Sequence, residues 1–176
     1  LGVTFNNFSI NNIFKKTAWS PLPTGDGQKL SLRVQSNGKA YRSYNFSFTE
    51  PWLGGKKRNS FTLGYYNTKY SNAYDYNTQR YSSVAADSSY IKTNGFSISL
   101  GKQLKWADDY FSLVYAINLQ QYKLRNYNIF PGLSSGNSTN VSLKITLARS
   151  SAGPNPIFPT SGSNFILSGQ FTPPYS

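Results

Sequence analysis

Apolar and polar residues alternate with a period of two along most of the chain. In YNFSFTEPW, Tyr44, Phe46 and Phe48 share one side of an extended strand while Asn45, Ser47 and Thr49 share the other. The same alternation sets Leu30, Leu32 and Val34 in a row, then Phe61, Leu63 and Tyr65, then Phe96, Ile98 and Leu100. Longer rows follow: Phe111, Leu113, Tyr115, Ile117 and Leu119, and after them Val141, Leu143, Ile145 and Leu147. Phe165, Leu167 and Phe171 make the last row, and the first segment is the weakest, with only Val3 and Phe5 in clean alternation. Helical periodicity is poor throughout. The pattern predicts eight strands, at residues 1–8, 27–36, 40–49, 59–70, 94–104, 110–124, 139–150 and 163–172. Breakers such as SPLPTGDG, SNGK, EPWLGGKK, FPGLSSGN and AGPNPIFPTSG separate them. Residues 71–93 read as a long Tyr- and Ser-rich connection with room for a short hairpin. Consecutive strands with no helix between them imply an all-β, antiparallel up-and-down meander, and no domain boundary interrupts it.

An apolar row must be covered, and a soluble sandwich or small barrel alternates as well. Strand length separates the two. Soluble strands run to about 5–6 residues, whereas a tilted strand crosses a bilayer in about 9–11, and most of these reach ten or more. Charge placement agrees. All six acids fall in connections, and Lys29, Arg33 and Lys144 lie on polar rows. Arg42, Lys69, Lys102, Lys123 and Arg149 lie on apolar rows only near strand ends, where long side chains reach water. Trp19, Trp52 and Trp106 sit in the first, third and fifth connections, on one side of a meander, as interfacial rings do. The expectation is the wall of a transmembrane β-barrel, in which Leu143→Lys is disruptive and Ser142→Lys tolerated.

Composition then narrows the chemistry. Eighteen Lys and Arg against six Asp and Glu give a formal charge of +12, which favours anionic partners such as phospholipid, lipopolysaccharide phosphate or nucleic acid. The positive residues scatter over many loops without a reading helix, so nucleic acid is not an expected partner. The chain has no Cys, His or Met, which excludes disulfides, thiolate sites and Cys/His zinc sites. No apolar run of 18 residues exists, so no helix is expected to span a membrane. Asp108-Asp109 is the only acidic pair; a solvated turn is expected there, with calcium ligation as the alternative. The densest basic cluster, GGKKR at residues 54–58, reads as a solvated turn or as a site for phosphate or an acidic subunit. No catalytic residue, cofactor or metal is expected, and the protein is not expected to be an enzyme.

The order of motifs resembles the start of the BamA-type barrels, the outer-membrane protein assembly factors of Gram-negative bacteria. The likeness rests on FNNFSINNIF, the turn at Gly25 to Gly27, the Asn37-Gly38 hairpin and the Glu50-Pro51-Trp52 turn. Further on, Phe158, Pro159, Thr160 and Gly162 resemble the family's aromatic-Pro-Thr-x-Gly turn. Residues 15–26 look like an insertion, and the Asn- and Tyr-rich style resembles Bacteroidetes members. The resemblance implies that residues 1–176 are the first half of a barrel beginning near its second strand, with POTRA domains and closing strands outside the chain. It implies a non-enzymatic factor that folds and inserts β-barrel proteins through a lateral seam. Residues 1–8 would neighbour the first seam strand. Implied partners are membrane lipids and lipopolysaccharide, nascent outer-membrane β-barrel proteins and accessory assembly-machine subunits. The tryptophan side would face the periplasm, making 71–93 and 125–138 surface loops. A transport or secretion channel of the outer membrane and a soluble β-rich binding protein remain as alternatives.

Overall fold

A computed structural model describes the chain except for residues 56–58, 73, 76–78, 107, 128–133, 152, 154–159 and 175–176. The strands are β1 (Gly2–Phe8), β2 (Gln28–Asn37), β3 (Tyr41–Glu50), β4 (Asn59–Ser71), β5 (Tyr74–Asp75) and β6 (Arg80–Tyr81). Helix α1 (Ser83–Ser88) follows, then β7 (Tyr90–Gln103), β8 (Phe111–Arg125), β9 (Gly136–Ser150) and β10 (Asn164–Phe171). Eight of these form one antiparallel sheet in the order β1-β2-β3-β4-β7-β8-β9-β10, while β5 and β6 pair in a hairpin of their own. The meander and its eight strands are thus as expected. The long connection is shorter than expected, because β7 begins at Tyr90, and it carries a helix that the alternation did not signal. Six residues are too few to display helical periodicity. Instead the Ser82 hydroxyl starts α1 locally by accepting the Val84 amide proton at 3.1 Å.

Register sorts the side chains into two faces. Leu30, Phe48, Leu63, Ile98, Ile117, Leu143 and Phe171 lie opposite one another across neighbouring strands, as do Val3, Leu32, Phe46, Tyr65, Phe96, Leu119 and Val141. The intervening row on the other face is Thr4, Ser31, Ser47, Gly64, Ser97, Asn118 and Ser142. The interior strands follow this division through their apolar stretches, except that β8 places Val114 and Ala116 on the polar face.

The apolar face has no protein layer over it. Among the described residues Pro23 and Ala86 are the only buried apolar side chains, and neither lies in the eight-stranded sheet, whereas Leu32, Tyr65, Phe96, Ile117 and Leu143 are all exposed. The accessible surface is 12540 Å², against about 8,600 Å² for a compact chain of this mass. A single sheet without a core of its own accounts for the excess.

The polar face is the crowded one. Ser43 and Ser142 are buried there, Ser43 and Thr68 share a hydrogen bond of 3.1 Å, and Thr49 and Thr62 share another of 3.1 Å. Small residues let that surface contract. A Cβ placed on Gly64 would meet the Ser97 hydroxyl at 2.6 Å, and one on Gly95 would collide with the Tyr66 ring. The sheet therefore closes more readily toward its polar side. Burial of Ser142 also corrects the expectation that a lysine there is accommodated: the site lacks the open space that half-exposed Ser47 has on the same face.

The apolar band is oblique to the strands. It covers residues 30–34 of β2 and 44–48 of β3, then 61–65 of β4 and 96–100 of β7. It continues over 113–119 of β8, 141–147 of β9 and 165–171 of β10. Its centre slides by about five residues over the six strand steps from β2 to β10, which at about 3.4 Å per residue and 4.8 Å per strand means a tilt of roughly 30°. A level slab of apolar solvent around tilted strands requires such a slide, and barrel strands tilt by about 35–45°.

Candidate membrane face and free strand edge

At the end of the sheet that carries the tryptophans, polar side chains fasten the connections. Residues 9–27 fold on themselves. The buried Ser9 hydroxyl donates to the Asp26 carboxylate at 2.6 Å, Asn11 donates to the same oxygen at 3.0 Å, and Trp19 Nε1 donates to the Ile13 carbonyl at 3.1 Å. Gln28 bridges this loop to the next turn: its amide oxygen accepts from the Ile10 amide at 2.8 Å and its Nε2 donates to Glu50 at 2.7 Å. Glu50 also accepts the Trp52 amide proton at 3.0 Å, which closes the Glu-Pro-Trp turn. Trp19, Trp52 and Trp106 lie at this one end and keep considerable exposure.

Asp108 departs from its expected role. It forms an ion pair with Arg149 at 2.7 Å and accepts the Tyr110 amide proton at 3.0 Å, so it ties the turn before β8 to the end of β9. Asp109 contributes a backbone carbonyl to Gln103. Arg149 is only partly exposed; its guanidinium also lies over Tyr110 at 5.9 Å and Phe111 at 5.8 Å and donates to Ser151 and Ser163. A cation at the rim of an apolar face is satisfied here by one carboxylate and two rings. Among the described residues no group of three or more metal-ligating side chains assembles. Of GGKKR, residues 56–58 lie outside the described residues, as do Phe158 and Pro159 of the aromatic-Pro-Thr-x-Gly motif.

Partial burial pushes the Asp108 carboxyl up, but the hydrogen bonds from Arg149 and the Tyr110 amide, with the Arg149 charge, outweigh it and hold the group below its ordinary 3.8. A carboxylate with a depressed folded value stabilises the fold fully above the unfolded value, and that contribution is lost as pH falls through the folded one. Acidification below about 3.8 is expected to release the turn. Trp106, 6.2 Å from Phe111, reports the event by fluorescence, and Asp108→Asn removes the transition.

The two sheet edges are β1 and β10. β1 has 7 residues, against 15 each in β8 and β9. Its register slips between Phe5 and Phe8, where three steps along β1 face two along β2. This bulge brings Phe8 onto the apolar side, where it meets Phe48 edge-on at 6.3 Å. Leu1 exchanges both backbone hydrogen bonds with Val34, 2.8 Å each, so alternation aims the amides and carbonyls of Gly2 and Thr4 away from β2. Those groups form a free edge able to take another strand.

Side chains that the sequence reading placed correctly include Arg33 and Lys144 on the polar face. Two it missed are Lys92 and Asp87. Lys92 stands opposite Lys69 and Lys123, and Asp87 pairs with Lys69 at 2.7 Å. Continuing the alternation back from Phe96 through Asn94 would have found Lys92; nothing local signalled Asp87.

An oblique apolar band on an uncovered, antiparallel meander defines the wall of a membrane β-barrel. Residues 24–176 match the Omp85 superfamily domain, and the chain belongs to that superfamily, which places it in the bacterial outer membrane. Its fold is similar to that in the crystal structure of BamA from Haemophilus ducreyi lacking POTRA domains 1–3, with a TM-score of 0.57 and 22% sequence identity. The likeness covers 98% of this chain and 30% of that one, so the chain spans less than a third of its structural relative. No curated protein sequence matches it. The apolar face is accordingly the lipid face, and the polar face lines the barrel interior.

Proposed function

We propose that this chain is wall from an outer-membrane assembly factor, which folds and inserts other β-barrel proteins through a lateral seam. The observation that supports it most is likeness in fold to a BamA barrel along 98% of the chain, within the Omp85 superfamily. In this reading residues 1–176 belong to the first half of the barrel, and POTRA domains and the closing strands belong to the rest of the molecule. The free edge of β1 receives the first seam strand. Its bulge interrupts the β1–β2 ladder close to the seam, which loosens the wall there. A client strand then adds to the opened edge through backbone pairing, with no bond made or broken covalently. The factor works without catalytic residues, metal or cofactor. Its partners are nascent barrel proteins, accessory assembly-machine subunits, and the lipids and lipopolysaccharide around the wall.

Depletion of the intact protein in its own host tests this reading. The expected result is a general fall in outer-membrane barrel proteins. Loss of a single exported or imported client, with the other barrels unaffected, would identify a secretion or transport channel instead.

A further inference from the structure

Four cations stand abreast on the lipid face at the end of the sheet opposite the tryptophans. Register sets Arg42 against Lys69, Lys69 against Lys92, and Lys92 against Lys123. At about 4.8 Å per strand, the four positions span only about 14 Å. Like charges directly opposite one another are destabilising, so an anion is needed to make the arrangement favourable. Among the described residues Asp87 pairs with Lys69, and its carboxylate remains 75% exposed. The Lys69 hydrogen bond draws that carboxyl below its ordinary value, with Arg42 and Arg125 adding to the pull. One acid against four bases leaves the row strongly positive.

Height and surroundings say what kind of anion fits. One pleat below the cations, Asn67, Asn94 and Gln121 are in register; one pleat further, Tyr65, Phe96 and Leu119 begin the apolar band. Lys69 therefore lies about 13 Å along its strand from Tyr65, at the depth of lipid headgroups. Around the cations, Arg42, Lys69, Lys92 and Arg125 with Tyr44 and Tyr90 line a cleft of about 420 Å³, and Asp87 brings α1 to its edge. Lys69 Nζ sits 4.8 Å from the centre of the Tyr90 ring. The layers read downward as phosphate binders, amide hydrogen-bond groups and hydrocarbon.

We propose that this row is a binding site for lipopolysaccharide, holding the phosphates of its acylated disaccharide. A single phosphodiester engages one or two of the cations, whereas a disaccharide phosphorylated at both ends reaches across the row. The sugar and ester groups meet the amide row and the acyl chains lie on Tyr65, Phe96 and Leu119. The inference rests on the proposed reading in its orientation, with the tryptophan end periplasmic and this end in the outer leaflet.

The test is titration of the intact, detergent-folded protein with lipopolysaccharide, counting bound molecules by native mass spectrometry. Lys69→Gln/Lys92→Gln is expected to weaken binding about tenfold. Lys144→Gln, which changes charge on the interior face, is expected to leave binding unaltered. Dephosphorylated glycolipid, phosphatidylglycerol and inorganic phosphate are expected to bind far more weakly. Equal binding by either lipid, competition by free phosphate, or a Lys144→Gln effect matching the double variant overturns the proposal. Leu143→Trp, quenched by phospholipids with brominated tails, checks the lipid face separately. Quenching with no lipopolysaccharide effect defeats the binding site alone, while lost quenching defeats the barrel reading beneath it.

Discussion

Leu143→Lys leaves most molecules unassembled in the outer membrane, while Ser47→Lys assembles normally. Leu143 sits near the middle of the apolar band on β9, in register with Ile117 and Phe171 and uncovered by protein. A lysine there faces hydrocarbon, at a cost of about 2–4 kcal/mol near the midplane. That is a large share of the 5–15 kcal/mol typical of a folded domain. Ser47 lies between Ser31 and Gly64 on the interior face, where a long cationic side chain reaches water. Lys144 shows that β9 itself tolerates a cation one position away on that face. The measurement is the heat-modifiable, protease-resistant fraction in isolated outer membranes. Equal assembly of the two variants would mean that the apolar rows meet protein.

Gly95→Val is expected to destabilise the folded barrel by about 1–3 kcal/mol, as overpacking does. The Tyr66 ring lies over Gly95 so closely that any Cβ would collide with it. The ring cannot simply swing away, because its hydroxyl accepts from Gln120 at 2.7 Å, and Gln120 in turn accepts from Tyr122 at 3.0 Å. Tyr66→Ala loses that network and bares the glycine. In Gly95→Val/Tyr66→Ala the clash with the ring is gone, so the double variant should lose less than the two single losses added together. Denaturant titration in lipid vesicles gives the cycle. Strict additivity would show that ring and glycine do not interact, contrary to the packing described.

Most of this wall was legible because period-two alternation is the physical requirement of a sheet with unlike solvents on its faces. The eight strand positions followed from it within a few residues. The exceptions have local causes. Phe8 looked out of phase with Val3 and Phe5, yet the bulge restores it to their face; an inserted residue cannot be told from a broken pattern by periodicity alone. Alternation places the start of β7 at residue 94, because Tyr90, Lys92 and Asn94 make no apolar row, and so leaves Lys92 in a connection. A strand that continues above the membrane has no reason to alternate. Asp108 looks like a solvated turn in sequence because its partner, Arg149, lies 41 residues away, a pairing that only register creates. The basic row is of the same kind: four residues from four strands, invisible until the strands are aligned.

With Pro23 and Ala86 as the only buried apolar side chains among the described residues, nearly all the hydrophobic free energy of this wall is withheld until lipid arrives. In water the ribbons gain little by pairing and would instead clump through their greasy sides. Acquiring shape and entering the bilayer are therefore one thermodynamic event for this polypeptide, and a carrier must keep it apart from its own kind on the way.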